Sequence, residues 1–280
     1  MRVLAAVAAL AAALLAACSS PPPRPPSAAQ ASAQAHHLTG ARALRRGDLN
    51  GALAAYGDAL AASDSVEDFE GSATALLNLA LVHARLGQLD AAHARVDRIL
   101  TAPQRYSDAQ RGQAATRKAM LYLDAKSYGM ALQWADQARA VCGDPCPLAA
   151  TLANLRACVA LDRGESERAI GQATRAADLA AALGQPAEHA NALRLLGRAS
   201  TRIGKTDEAA QALARALQLD RELGLPERIS LDLMHAGENE ERRAQPAAAR
   251  DFYERALNVA QAAGLVPLVD ALRGRVGRRD

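Results

Sequence analysis

The sequence predicts an all-α protein in which helical hairpins stack side by side into a superhelix. Two observations predict it. Half of the 280 residues are apolar, yet only 3% are aromatic, so the apolar half is mostly Ala, Leu and Val. Ala and Leu are strong helix formers, whereas a sandwich or barrel wants β-branched and aromatic side chains. The second observation is an internal pattern with a period of about forty residues, the mark of an array of small units that cannot bury their apolar faces alone. The charge balance excludes two partner classes. With 33 basic against 30 acidic residues, the net charge of +3 is too mild for a nucleic-acid or anionic-membrane surface. Arg outnumbers Lys by 30 to 3.

Residues 1–17 come first. Arg2 is followed by an apolar run from Val3 to Leu15, 13 residues long. A spanning helix needs about 20, so the run is the core of an export signal. It ends Leu15-Ala16-Ala17-Cys18, which resembles the bacterial lipoprotein signal motif. The resemblance implies that Cys18 is lipidated and becomes the mature N-terminus. Ser19 rather than Asp follows it, the pattern that in such lipoproteins implies passage to the outer membrane, facing the periplasm. Residues 18–35 are rich in Pro, Ser, Ala and Gln and read as an extended tether. His36 and His37 end it as polar linker residues.

The array spans residues 36–264. A Gly or its substitute is followed by Ala five positions on, then by residues four and three further on. The pattern begins as Gly47-Ala52-Tyr56-Ala59 and Gly87-Ala92-Val96-Ile99. It continues as Lys126-Ala131-Ala135-Ala138 and Gly164-Ala169-Ala173-Ala176, and closes with Gly204-Ala209-Leu213-Ala216 and Ala244-Ala249-Tyr253-Ala256. The steps are 40, 39, 38, 40 and 40. Steps of four and three keep the small residues on one face of a helix, where two helices of a hairpin approach closely. Ahead of the turns, Leu76, Leu79 and Ala80, then Leu193, Leu196 and Gly197, then Leu233, Ala236 and Gly237 form the matching stripe of a first helix. Leu183-Gly184-Gln185-Pro186 and Leu223-Gly224-Leu225-Pro226 end second helices, with Gly supplying the left-handed cap and Pro barring continuation.

These units resemble the tetratricopeptide repeat family, in its subtype with repeats near forty residues. The resemblance implies a right-handed α-α superhelix of six hairpins with a concave groove lined by first helices, where a partner peptide binds. Lys126 and Ala244 replace the turn Gly, and Lys118 and Arg156 stand on stripe positions where Leu is usual. Residues 265–280 read as a capping helix made polar by Arg273, Arg275, Arg278 and Arg279.

Cys142 and Cys146 flank a Gly-Asp-Pro turn between the third and fourth units. In an oxidising compartment they are expected to pair, closing a loop worth only about 2 kcal/mol by chain entropy. Cys158 is left as a buried small residue.

No catalytic motif, cofactor fingerprint or metal-ligand spacing was found in the sequence, so neither an enzyme nor a cofactor is expected. Arg194, Arg198 and Arg202 are spaced by four on one helix face that the family alignment turns into the groove. Asn191, Asn78, Arg85, Arg117 and Asn154 hold comparable positions. Arginine forks suit carboxylates and Asn suits extended backbone. The expected function is an outer-membrane-anchored scaffold or adaptor binding a protein partner through an acidic or C-terminal peptide. The alternative is a receptor for a small envelope ligand such as a cell-wall fragment.

Overall fold

A computed structural model describes residues 25–277. Within them lie thirteen helices and no strand. They are α1 (Ala28–Arg45), α2 (Leu49–Asp64), α3 (Phe69–Arg85), α4 (Leu89–Leu100), α5 (Asp108–Asp124), α6 (Tyr128–Val141) and α7 (Ala149–Asp162). Then follow α8 (Ser166–Ala182), α9 (Pro186–Arg202), α10 (Thr206–Glu222), α11 (Pro226–Arg242), α12 (Pro246–Ala262) and α13 (Val266–Val276). Successive pairs from α1/α2 to α11/α12 are six hairpins, and α13 closes the array. Among the described residues no helix is long and apolar enough to cross a membrane.

The turn residues take the left-handed conformation that the pattern demands. Gly47, Gly87, Gly164 and Gly204 have φ between 72° and 79°, and Lys126 and Ala244 hold the equivalent places at 56°. A side chain there costs roughly 1–2 kcal/mol, so the stacked hairpin imposes the turn on these two units against local preference.

Inside each hairpin the seat before the turn and the residue facing it compensate in size. An added Cβ on Gly40, Gly197 or Gly237 would lie 2.7, 2.5 or 2.6 Å from Tyr56, Leu213 or Tyr253. In the other three hairpins the equivalent seats are Ala80, Ala119 and Ala157, and the facing residues shrink to Val96, Ala135 and Ala173, all fully buried. Close packing tolerates such paired exchanges but not one-sided growth.

Two departures from the apolar stripe repeat as ion pairs. Lys118 on α5 reaches Asp97 on α4, and its ammonium lies 4.5 Å from the centre of the Trp134 ring. Arg156 on α7 donates to Asp136 on α6 at 2.5 Å. Each cation thus reaches back to an acid on the preceding hairpin's second helix.

The tether is shorter than its composition suggested. Ser27 accepts from the Gln30 backbone N–H while the Gln30 side chain returns a bond to the Ser27 N–H, a capping box that starts α1 at Ala28. Residues 28–35 are therefore the opening turns of the first hairpin. His36 and His37 lie within α1, His37 beside the Tyr56 ring at 6.0 Å between centroids. At the other end Arg275 ties α13 down, donating to Glu238 at 2.9 Å and Glu241 at 3.2 Å.

The stack coils far enough to meet itself. Arg85 on α3 pairs with Glu227 at the start of α11 at 3.3 Å. Gly47 of the first hairpin's turn faces the carbonyl of Gly264, which follows the last hairpin.

Candidate functional site on the concave face

First helices α3, α5, α7 and α9 carry the residues that the sequence assigned to a binding groove. The structure divides them into occupied and available groups.

Arg194 is a correction. It is only 5% exposed, and its guanidinium is spent inside the protein, on Asp220 of α10 and, at 2.6 Å, on Asp232 of α11. The remaining nitrogen donates to Asn191 Oδ1 at 3.1 Å, which engages the oxygen of that amide. Burial pushes the Asp232 carboxyl up to about 7, with Arg194 pulling it down and Asp220 pushing it further up. One cation between two buried acids is a structural network, not a peptide clamp.

Asn154 is a second correction. It is buried, and its amide donates to the Glu188 carbonyl at 3.1 Å and to the Glu188 carboxylate at 2.8 Å, joining the fourth and fifth hairpins. Arg202 donates to the Leu161 carbonyl at the end of α7. Arg85 is held by Glu227. The spacing of four among Arg194, Arg198 and Arg202 therefore does not make a stripe of three free cations.

Three predicted residues remain available. Asn78 and Arg117 line an open pocket of about 490 Å3 with Leu77, Met120, Thr151 and Glu188. Arg117 is half-buried and, among the described residues, has no carboxylate within ion-pair distance and one polar contact, the Met120 thioether at 4.0 Å. Burial lowers its pKa, the Asp124 charge opposing and the Arg85 charge assisting. Asp124 is raised by burial, with Arg117 opposing. Arg198 on α9 is likewise half-buried and makes no hydrogen bond or ion pair among the described residues. Its charge is felt by Cys158 on α7 and by His235 and Glu238 on α11, so it stands between the first helices of three hairpins.

The face is therefore mixed in charge rather than basic. Arg85, Arg117, Arg198 and Arg202 share it with Asp124, Glu188, Glu227 and Glu238. Burial pushes the Cys158 thiol up to about 11, so it stays protonated and unreactive at neutral pH. His235 is lowered by burial despite its 2.8 Å contact with Glu238. The arrangement can bind through two guanidiniums, an amide and apolar edges.

Cys142 and Cys146 are bonded to each other. The loop they close joins α6 to α7. Cys18 lies outside the described residues.

No family model matches the chain, and no curated protein matches it. Solved structures do. BtubC (BKLC) from P. vanneervenii is 17% identical, with a TM-score of 0.58 over 85% of this chain and 93% of that one. A Rap protein complexed with competence and sporulation factor is 17% identical, with a TM-score of 0.60 over 88% and 73%. A signal-transduction ATPase with a tetratricopeptide repeat sensor from Pyrococcus horikoshii is 13% identical, with a TM-score of 0.63 over 88% of this chain and 37% of that one. At these identities the likeness concerns the fold, which is a tetratricopeptide-type all-α superhelix.

Proposed function

We propose that this chain is a non-catalytic adaptor of the bacterial cell envelope that holds a segment of a partner protein on its concave face. The observation that carries the reading is the contrast among the concave arginines. Arg85, Arg194 and Arg202 are already engaged by other groups of the chain, Arg194 in the interior and Arg85 and Arg202 at the surface, while Arg117 and Arg198 are half-buried and have no ion-pair partner among the described residues. A guanidinium partly removed from water and not yet paired gains from an incoming carboxylate or carbonyl. Asn78, beside Arg117, offers a donor and an acceptor to an extended backbone. The acids on the same face favour a partner segment of mixed charge over a purely acidic one.

The anchor belongs to the same proposal. Leu15-Ala16-Ala17-Cys18 followed by Ser19 supports lipidation at Cys18 and residence at the outer membrane, facing the periplasm. Acyl chains hold a protein by about 0.8 kcal/mol per buried methylene, and confinement to a surface raises the effective concentration of whatever binds. Incorporation of labelled palmitate, abolished by Cys18→Ala, tests this part.

Charge reversal tests the groove. Arg117→Glu with Arg198→Glu should abolish recovery of the partner by crosslinking in the native envelope and mass spectrometry. An unchanged set of crosslinked proteins contradicts the reading. The pocket at Asn78 and Arg117 also falls in the size range of small-ligand sites, about 300–1,000 Å3, which favours the envelope-ligand receptor as a second reading. A small molecule co-purifying in native mass spectrometry, lost with Arg117→Glu, would select it.

A further inference from the structure

We infer that the outer seam between the third and fourth hairpins is a binding site for an anionic amphiphile, separate from the concave face. A cleft of about 540 Å3 opens there. Its floor is α7, one wall is α8, and the loop closed by Cys142 and Cys146 shuts one end.

The cleft exists because the second helices are mismatched across it. α6 has 14 residues and stops at Val141, against 17 residues in each of α8, α10 and α12. At the position where α6, α10 and α12 carry Trp134, Ala212 and Phe252, α8 carries Gln172. The lining from α8 and the residue that caps it is Arg168, Gln172, Arg175, Leu179 and Leu183 in order, so it is polar for its first half and apolar for its second.

The two ends of the cleft differ accordingly. Arg156, Arg168 and Arg175 line the cleft from α7 and α8, Arg168 and Arg175 about two turns apart, and Asp144 lines it from the disulfide loop. Arg156 and Arg168 have Asp136 and Glu165 at 2.5 and 3.0 Å, while Arg175 makes no ion pair or hydrogen bond among the described residues. At the other end Leu152, Leu179 and Leu183 meet beside the disulfide loop, where Arg139 is committed to the Gly143 carbonyl at 2.9 Å. From Arg175 to Leu183 is about 12 Å along the helix, the reach of a straight chain of roughly ten carbons. A phosphate or carboxylate head at Arg175, with its tail laid on the leucines, satisfies both ends; an ion alone or a hydrocarbon alone satisfies one.

Isothermal titration of the purified chain below micelle-forming concentration tests this, with decyl phosphate and decanoate as probes and decanol and inorganic phosphate as controls. At least one charged amphiphile should bind saturably and at least ten-fold more tightly than both controls. Arg175→Glu should weaken that binding ten-fold or more. Arg215→Glu, at the same register on α10 outside the cleft, should leave it unchanged. Because Arg175 is exposed and unpaired, its replacement keeps the fold, which unchanged circular dichroism verifies. No saturable binding of either amphiphile, equal binding of decanol, or an Arg175→Glu variant that binds as the parent does would overturn the inference.

Discussion

The seam between the third and fourth hairpins and the seam between the fifth and sixth meet the same requirement in opposite ways. Both must join a finished hairpin to the next one. The later seam is closed and polar. Arg194 links Asp220 and Asp232 with all three side chains almost wholly buried, and Asn239 bridges the Thr201 hydroxyl at 3.0 Å and the Thr206 carbonyl at 2.9 Å. The earlier seam is open. Its ion pair, Arg156 with Asp136, is 29% and 72% exposed, and a disulfide-closed loop spans the gap that short α6 leaves. A closed seam depends on every buried charge keeping its partner; an open one tolerates loss of a pair and leaves room for a ligand.

Mutation should separate the two most sharply at Arg194. Arg194→Met leaves two buried acids without their cation, and breaking a buried network of this kind costs about 3–5 kcal/mol. Chemical denaturation should show a loss of that order. Next in size is the disulfide of the open seam. The paired replacement of Cys142 and Cys146 by Ser should lower stability by about 2 kcal/mol, the chain entropy of so small a loop, and a denaturation midpoint insensitive to reductant would sever the loop from the seam's integrity.

The closed seam should also respond to pH. An unfolded Asp titrates near 4, while burial holds folded Asp232 up at about 7. The folded state therefore binds this proton more tightly. The resulting stabilisation is present below pH ~4 and is lost as pH rises through about 7. Thermal midpoints measured from pH 4 to 8 should fall with rising pH, and Asp232→Asn should flatten that slope. The smallest effect belongs to Arg156→Ala. An exposed pair is worth about 0–1 kcal/mol, so a loss of several kcal/mol would erase the distinction between the seams.

Much of the fold was legible because the repeat constrains its own geometry. The turn positions, the small residues beside them and the Gly–Pro stops recur at fixed offsets, and the helices begin and end where those offsets place them. Lys118 and Arg156 looked like faults in the stripe, but their partners were readable too, since Asp97 and Asp136 stand at the same register of successive units. The start of α1 was missed because Pro and Ser composition outweighed a local signal, Ser27 followed three residues later by Gln30. The binding face was only half legible. Helical spacing put Arg194 on a line with Arg198, but the acids that claim it lie 26 and 38 residues away. Nothing in a single helix's periodicity reports such partners. Arg117 and Arg198 differ from Arg194 by what surrounds them, not by their own positions.

Photo-crosslinking in the intact envelope tests the central claim most directly. A photoreactive residue replacing Asn78 on the concave face should capture a partner polypeptide, and one replacing Arg215 on the outer face should not. The same adducts from both positions, or adducts from position 215 alone, would contradict an adaptor that binds through its concave face.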